Sequence, residues 1–295
     1  AILAQAAQPK TRCRSRGIWT ARHLRPPRGS TLVKALAVVL TPGASTLPMV
    51  PASGPTRRRR VLILGGWSPG PLDMICHRFR TEADFEEPTI PMPPSGLRWC
   101  VNPFWVLLLL YLFVALPALM AQADAWFSSE LLAWVFRGAV VLLSLAVFRL
   151  LVAGLVWYAI QDAVRVARSS IRSFEPDLVI GFSWGGGVAC WLLSKRGWTG
   201  PTILLAPTLH AMSSAACLPK LKLPSPPETS PIHVFHAEHD GFCPEAQAHE
   251  FRASGCEVHF CRDDHVLCRS VDQIANCMRT LLATPSGSGI GAPAE

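Results

Sequence analysis

The chain has 295 residues, half of them hydrophobic and 16% charged, with a formal net charge of +8; that is enough for one sizeable core with appendages. Residues 1–60 hold 12 Lys/Arg and no Asp/Glu, leaving 16 basic against 20 acidic residues in 61–295, a net of −4. Basicity confined to one end does not make a nucleic-acid-binding surface on the folded part, so no nucleic-acid partner is expected.

Residues 1–60 are rich in Arg, Ala, Ser, Thr and Pro and close on Arg57-Arg58-Arg59-Arg60. This composition predicts a basic targeting leader or a disordered arm. The apolar run Ala35–Leu40 inside it is too short to cross a bilayer. Residues 61–98 read as the first part of an α/β domain. Val61–Leu64 is its first strand, followed by Gly65-Gly66, a loop through Trp67 to Pro71, a helix over Leu72–Phe79, and a second strand over Glu87–Ile90. Glycines directly after a strand let backbone N–H groups face a ligand.

Residues 99–161 read as an insertion. Trp99–Ala123 carries no charge over 25 positions, and Gly138–Gln161 is a second apolar stretch broken only by Arg149. Each is long enough to cross a hydrocarbon layer of about 30 Å. Core strands lie before and after the insertion, and one sheet must sit on one side of a membrane, so the crossings are even in number. Two crossings make a transmembrane hairpin with the lipid bilayer as partner. Basic residues flank both outer ends (Arg57–Arg60, Arg78, Arg80 and Arg98 on one, Arg165, Arg168 and Arg172 on the other), which predicts an integral membrane protein with its α/β domain on the cytosolic side.

Residues 162–283 read as the second part of that domain. An amphipathic helix with Ala163, Val164, Ala167 and Ile171 on its apolar side leads into the strand Leu178–Ile180. Strands follow at Thr202–Ala206, Ile232–His236 and Glu257–Cys261, with helices near Pro244–Ala253 and Ser270–Leu282. Strand and helix alternate, which predicts a mostly parallel sheet with helices on both faces. Residues 213–231 form a Pro- and Ser-rich loop, and 284–295 a flexible tail. The ten cysteines include no Cys-x-x-Cys pair. Cys256, His259, Cys261 and Cys268 form a cluster that lies across a strand, where alternation points its members to opposite faces, so no metal site is expected and the thiols read as reduced.

The informative stretch is Gly181-Phe182-Ser183-Trp184-Gly185, set between an apolar strand and the helical spacing of Val188, Trp191 and Leu192. A sharp strand-to-helix turn needs glycine where a Cβ would clash, and it presents Ser183 at the carboxyl end of the sheet. A serine hydroxyl is a poor nucleophile at neutral pH and needs a histidine base with a carboxylate to orient it. Asp240 follows the strand Ile232–His236, and His265 follows Glu257–Cys261, in loops that converge on one edge of a parallel sheet. Rivals are weighed by position. Glu238 is the alternative carboxylate; Asp263 and Asp264 read as turn-formers; His233, His236 and His239 read as structural; His210 is a second candidate base; and Cys243 reads as a buried thiol.

With Ser183, Asp240 and His265 in that order, residues 61–95 and 160–282 resemble the α/β-hydrolase superfamily. The resemblance implies Ser183 as nucleophile, His265 as base and then acid, and Asp240 as its orienter. It also implies an oxyanion hole of the backbone N–H of Trp184 and one from the loop after the first strand, Trp67. No cofactor is implied. The expected function is a membrane-anchored serine hydrolase cleaving an ester or thioester, with an amphipathic acyl substrate. The alternatives are a non-catalytic membrane interaction module on the same fold and an acyltransferase using the same three residues.

Overall fold

The computed structural model describes residues 57–68, 70–93, 103–221 and 230–284. The expected leader up to residue 56, the tail beyond 284, residues 222–229 of the Pro-rich loop and Trp99–Asn102 of the first apolar stretch lie outside the described residues.

Six parallel strands form one sheet: β1 (Arg59–Leu64), β2 (Ala83–Glu86), β3 (Leu178–Phe182), β4 (Thr202–Leu205), β5 (Ile232–Ala237) and β6 (Glu257–Cys261). Their order is β2-β1-β3-β4-β5-β6. The chain steps outward from β1 to β2 and returns to build β3 to β6 on the other side, so a topological switch lies between β1 and β3, where ligands of open parallel sheets bind.

Alternation along each strand supplies two cores. Leu62, Leu64, Val179, Leu204 and Val234 face one side, packed against Val188, Leu192, Met212 and Phe251 and against Val156, Ile160 and Ala163. Val61, Ile63, Ile180, Phe182, Leu205 and Phe235 face the other, against Leu72, Ile75 and Phe79 and against Val271, Ile274 and Met278. The helices are α1 (Leu72–Phe79), α5 (Trp184–Ser194), α6 (Leu209–Ala215), α7 (Glu245–Ala253) and α8 (Val271–Ala283), with α2 to α4 in the insertion. Thus β1, β3, β4 and β5 are covered on both faces, as parallel sheets require.

Three elements differ from expectation. β1 begins at Arg59 rather than Val61, because Arg58, Arg59 and Arg60 pair with Asp84 (2.9 Å), Asp177 (3.6 Å) and Glu175 (2.8 Å) instead of staying in the basic arm. The second strand is Ala83–Glu86, in register with Arg59–Leu62, and not Glu87–Ile90. Pro88 has no N–H for a ladder and restricts Glu87 before it, so pairing stops there. The segment read as loop from 213 starts inside α6, a seven-residue helix too short to give a periodic signal.

The insertion is two long helices packed side by side. The first runs through α2 (Pro103–Leu110), a π-helical turn (Tyr111–Ala115) and α3 (Leu116–Trp126). Pro117 cannot donate within the helix, and the π turn just before it absorbs the missing bond. After Phe127–Ser129, α4 runs unbroken from Glu130 to Phe174, 45 residues. The expected break between an apolar span and an amphipathic helix is not there. Ala153, Val156, Ala159, Ile160, Ala163 and Ala167 continue a single buried face, and no Pro interrupts the helix. The helix stops at Glu175, whose left-handed conformation (φ 46°) returns its N–H to the Ile171 carbonyl.

Among the described residues α4 is the one helix long and apolar enough to cross a membrane by length and composition. Of its most apolar 18 residues, 17% are buried. Arg149 donates to the carbonyls of Ser214 and Ala215 at the end of α6 (2.7 Å to Ala215), so its charge faces the α/β domain.

Seven of the described cysteines (Cys76, Cys190, Cys217, Cys243, Cys256, Cys261 and Cys277) are free thiols. Cys268 departs from the reduced expectation and is disulfide-bonded.

Candidate active site

Ser183 sits between the end of β3 and the start of α5 at φ 52°, ψ −115°. A left-handed φ on a residue with a side chain is strained, and the surroundings hold it there. Its carbonyl accepts from the N–H groups of Gly187 (3.0 Å) and Thr208 (3.1 Å), and its own N–H donates to Leu205 (2.9 Å). The turn is tight enough that a Cβ on Gly185 would lie 1.9 Å from the Leu64 carbonyl oxygen. Only glycine fits there. The result is a serine that is 7% exposed, at the carboxyl end of the sheet.

Asp240 and His265 arrive from the loops after β5 and β6. His265 Nε2 lies 2.9 Å from Ser183 Oγ, and His265 Nδ1 lies 2.7 Å from Asp240 Oδ2. The other carboxylate oxygen accepts from the backbone N–H groups of Phe242 (2.8 Å) and Cys243 (3.0 Å). The Asp240 side chain is 0% exposed. Both oxygens of this buried carboxylate are engaged, as a buried polar group requires, and its contact with Nδ1 turns Nε2 toward the serine hydroxyl. The structure therefore brings Ser183, His265 and Asp240 into one hydrogen-bonded chain.

The rivals are placed elsewhere. Glu238 is exposed. His210 binds Glu250 at 2.7 Å, and that carboxylate also holds Lys220, so its acidity is strengthened first by Lys220. Asp263 is 4% exposed and organises the loop carrying His265. Its carboxylate accepts from the N–H groups of Asp264, Arg269 and Ser270 and from the Ser270 hydroxyl. Burial, and then the nearby Asp240 charge, pushes the Cys243 thiol well above the usual range; it stays protonated and donates to the carbonyls of Ala206 and Pro207. Sequence reasoning passed over Phe242, whose ring centroid is 5.0 Å from that of His265. Phe182 lies on another side at 5.6 Å. Nothing in the spacing marks these two aromatics as walls of the imidazole.

Trp184 is the first residue of α5, so its backbone N–H has no partner within the helix. Its indole is buried and donates to the Pro91 carbonyl (3.2 Å). The loop after β1 passes directly over the serine, since a Cβ on Gly66 would lie 2.8 Å from Ser183 Cβ and 3.3 Å from Oγ. Trp67 follows in that loop, 59% exposed. A hydroxyl joined to an imidazole that is held by a buried carboxylate, beside a helix N-terminus, can add to a carbonyl and stabilise the oxyanion.

No protein-family model matches the sequence, and no curated protein matches it. Solved structures similar to this chain include α/β hydrolases. One is a protein from Xanthomonas campestris pv. campestris described as a hydrolase of the alpha/beta superfamily (18% identity, 76% of this chain, 98% of that one, TM-score 0.42). Others are a metagenome-derived lipolytic enzyme of the LipS and LipT pair (12%, 76% and 93%, TM-score 0.44) and a Bacillus cereus carboxylesterase (14%, 76% and 89%, TM-score 0.42). At these levels of identity the neighbours assign no role to any residue of this chain.

Proposed function

We propose that this chain is a membrane-anchored serine hydrolase that cleaves an ester or thioester through an acyl-enzyme. The observation that carries the reading is the hydrogen-bonded chain Ser183–His265–Asp240. Ser183 Oγ attacks the acyl carbonyl as its proton passes to His265 Nε2. Collapse of the tetrahedral intermediate returns that proton to the leaving alcohol or thiol, and the acyl group stays on Ser183. Water then repeats the sequence, giving a carboxylic acid and the free serine. The backbone N–H groups of Trp184 and Trp67 receive the oxyanion; one such donor is typically worth about 10²–10³ in rate.

The anchoring rests on the insertion. Leu131, Trp134, Val135, Leu142, Leu143 and Leu145 on α4 and Phe113 and Val114 on the first helix are each more than half exposed. Lipid is the environment that removes such surface from water, at roughly 1.5–3 kcal/mol per large side chain. From Glu130 to Leu150 the helix is about 31 Å long, close to a hydrocarbon thickness of about 30 Å. Because α4 from Ala153 onward packs on the domain, the lipid-facing part is 130–150 rather than 138–161, and Arg149 marks its domain end. Arg78, Arg80, Arg165, Arg168 and Arg172 lie at that end, which favours the cytosolic side for the domain. An anchor in the bilayer suits an amphipathic acyl substrate drawn from it.

Labelling with a fluorophosphonate probe tests the chemistry. The wild-type chain should label, and Ser183→Ala should not, with turnover of acyl esters lower by several orders of magnitude and an unchanged melting curve. Labelling that survives in the variant would overturn the assignment.

A further inference from the structure

A second cluster of reactive side chains lies at the opposite edge of the sheet. β5 and β6 are parallel, with His233 opposite Glu257 and Phe235 opposite His259. Residues two apart on a strand share a face, and Phe235 shows that this is the face covered by α8. Helix α8 brings Cys277 to the same place. His233 Nδ1 is 3.2 Å from His259 Nε2. The Glu257 carboxylate oxygens are 3.3 Å from the first and 3.4 Å from the second. The two imidazole nitrogens and Cys277 Sγ all lie within 4.8 Å of one another.

These separations have the size of a metal polyhedron. A tetrahedral ion bonded at about 2.0–2.1 Å to nitrogen or oxygen and about 2.3 Å to sulfur holds its ligand atoms about 3.3–3.6 Å apart.

We propose that His233, His259 and Cys277 bind a divalent transition metal of the Zn²⁺ class. Two imidazoles and a thiolate supply three ligands, and the Glu257 carboxylate beside both imidazoles is the protein group placed to turn in as the fourth. His233 stands near the start of β5, whereas Asp240 follows its end, so the metal lies remote from Ser183. It ties the edge strand β6 and the last helix to the sheet. Among the described residues the other compact set of possible ligands, Asp240, Cys243 and His265, belongs to the proposed hydrolase site.

The full chain in detergent, titrated with Co²⁺, tests this. One equivalent should give the visible bands of tetrahedral cobalt with a thiolate charge-transfer band, both displaced by Zn²⁺. Cys277→Ser should lose the charge-transfer band, His259→Gln should weaken binding by at least about tenfold, and Cys243→Ser should change neither. Probe labelling of Ser183 should be intact in Cys277→Ser. In the wild-type chain, so that no variant need fold, Zn²⁺ should protect Cys277 from alkylation. Absence of a tetrahedral cobalt spectrum in cooperatively melting wild-type protein, a charge-transfer band that persists in Cys277→Ser, or alkylation of Cys277 unaffected by Zn²⁺ would each overturn the proposal.

Discussion

Asp240 and Glu238 stand two residues apart, yet their side chains live in different media. Asp240 is wholly shielded and bonded at both oxygens, to His265 on one side and to the Phe242 and Cys243 N–H groups on the other. Glu238 lies in water. Asp240→Asn should therefore lower kcat by about 10⁴, as an inverted imidazole tautomer does in other triads, while Glu238→Gln should leave it within a few-fold. Equal losses in steady-state assays would reverse the assignment. Gly185 makes a stricter demand, since any Cβ there meets the Leu64 carbonyl oxygen at 1.9 Å. Gly185→Ala should cost about 3 kcal/mol or more and be visible as a lowered denaturation midpoint.

The elements of the insertion are held to one another and to the domain by a few polar contacts. Tyr111 and Ser144 hydroxyls meet at 2.7 Å between the two helices, and Ser144 donates to Val140 (2.6 Å). Arg137 reaches the Met120 carbonyl (3.4 Å) and stacks over Trp134. A long side chain one or two turns from the helix start can carry its charge to the interface. Arg149, at the other end, donates to the last carbonyls of α6, where the helix dipole favours a cation. Arg149→Leu should lower Tm by a few degrees without displacing the protein from membranes. If the pair crosses the bilayer, carbonate washing leaves the protein bound. A tag inserted at 127–129 is then protected from protease on the side opposite a C-terminal tag. Release by carbonate, or cleavage of both tags from one side, would mean that the pair only lies on the surface.

For the whole molecule, the buried histidines set a direction for acid sensitivity. His236 is 4% exposed, and burial lowers its pKa from 6.5, with Asp240 the main opposing charge. His233 is lowered from the same value, also by burial first. In both cases the unfolded chain binds protons more readily than the folded one. Stability is thus retained above pH 6.5 and falls as pH drops below it. Melting followed between pH 8 and pH 5 in the presence of a chelator should show this decline, and His236→Gln should flatten it. An unchanged slope in the variant would remove His236 as a cause.

Sequence alone determined what depends on local spacing. Val61–Leu64, Leu178–Phe182 and Glu257–Cys261 are runs whose apolar residues serve both faces of a parallel sheet, and Gly181-x-Ser183-x-Gly185 between strand and helix specifies a sharp turn. Those patterns are readable because each is set by a residue's immediate neighbours. Tertiary structure decided what depends on partners far along the chain. Arg59 and Arg60 looked like part of a basic arm until Asp177 and Glu175 drew them into β1. The second strand sits at Ala83–Glu86 because β1 offers its register there. One unbroken α4 replaces a span and a separate helix because the domain buries Ala153 to Ala167 along a continuous face. His233, His259 and Cys277 come from two strands and a helix, and only the β5–β6 register, with α8 laid across it, puts them together. Spacing along one strand carries no information about a neighbour supplied by the next.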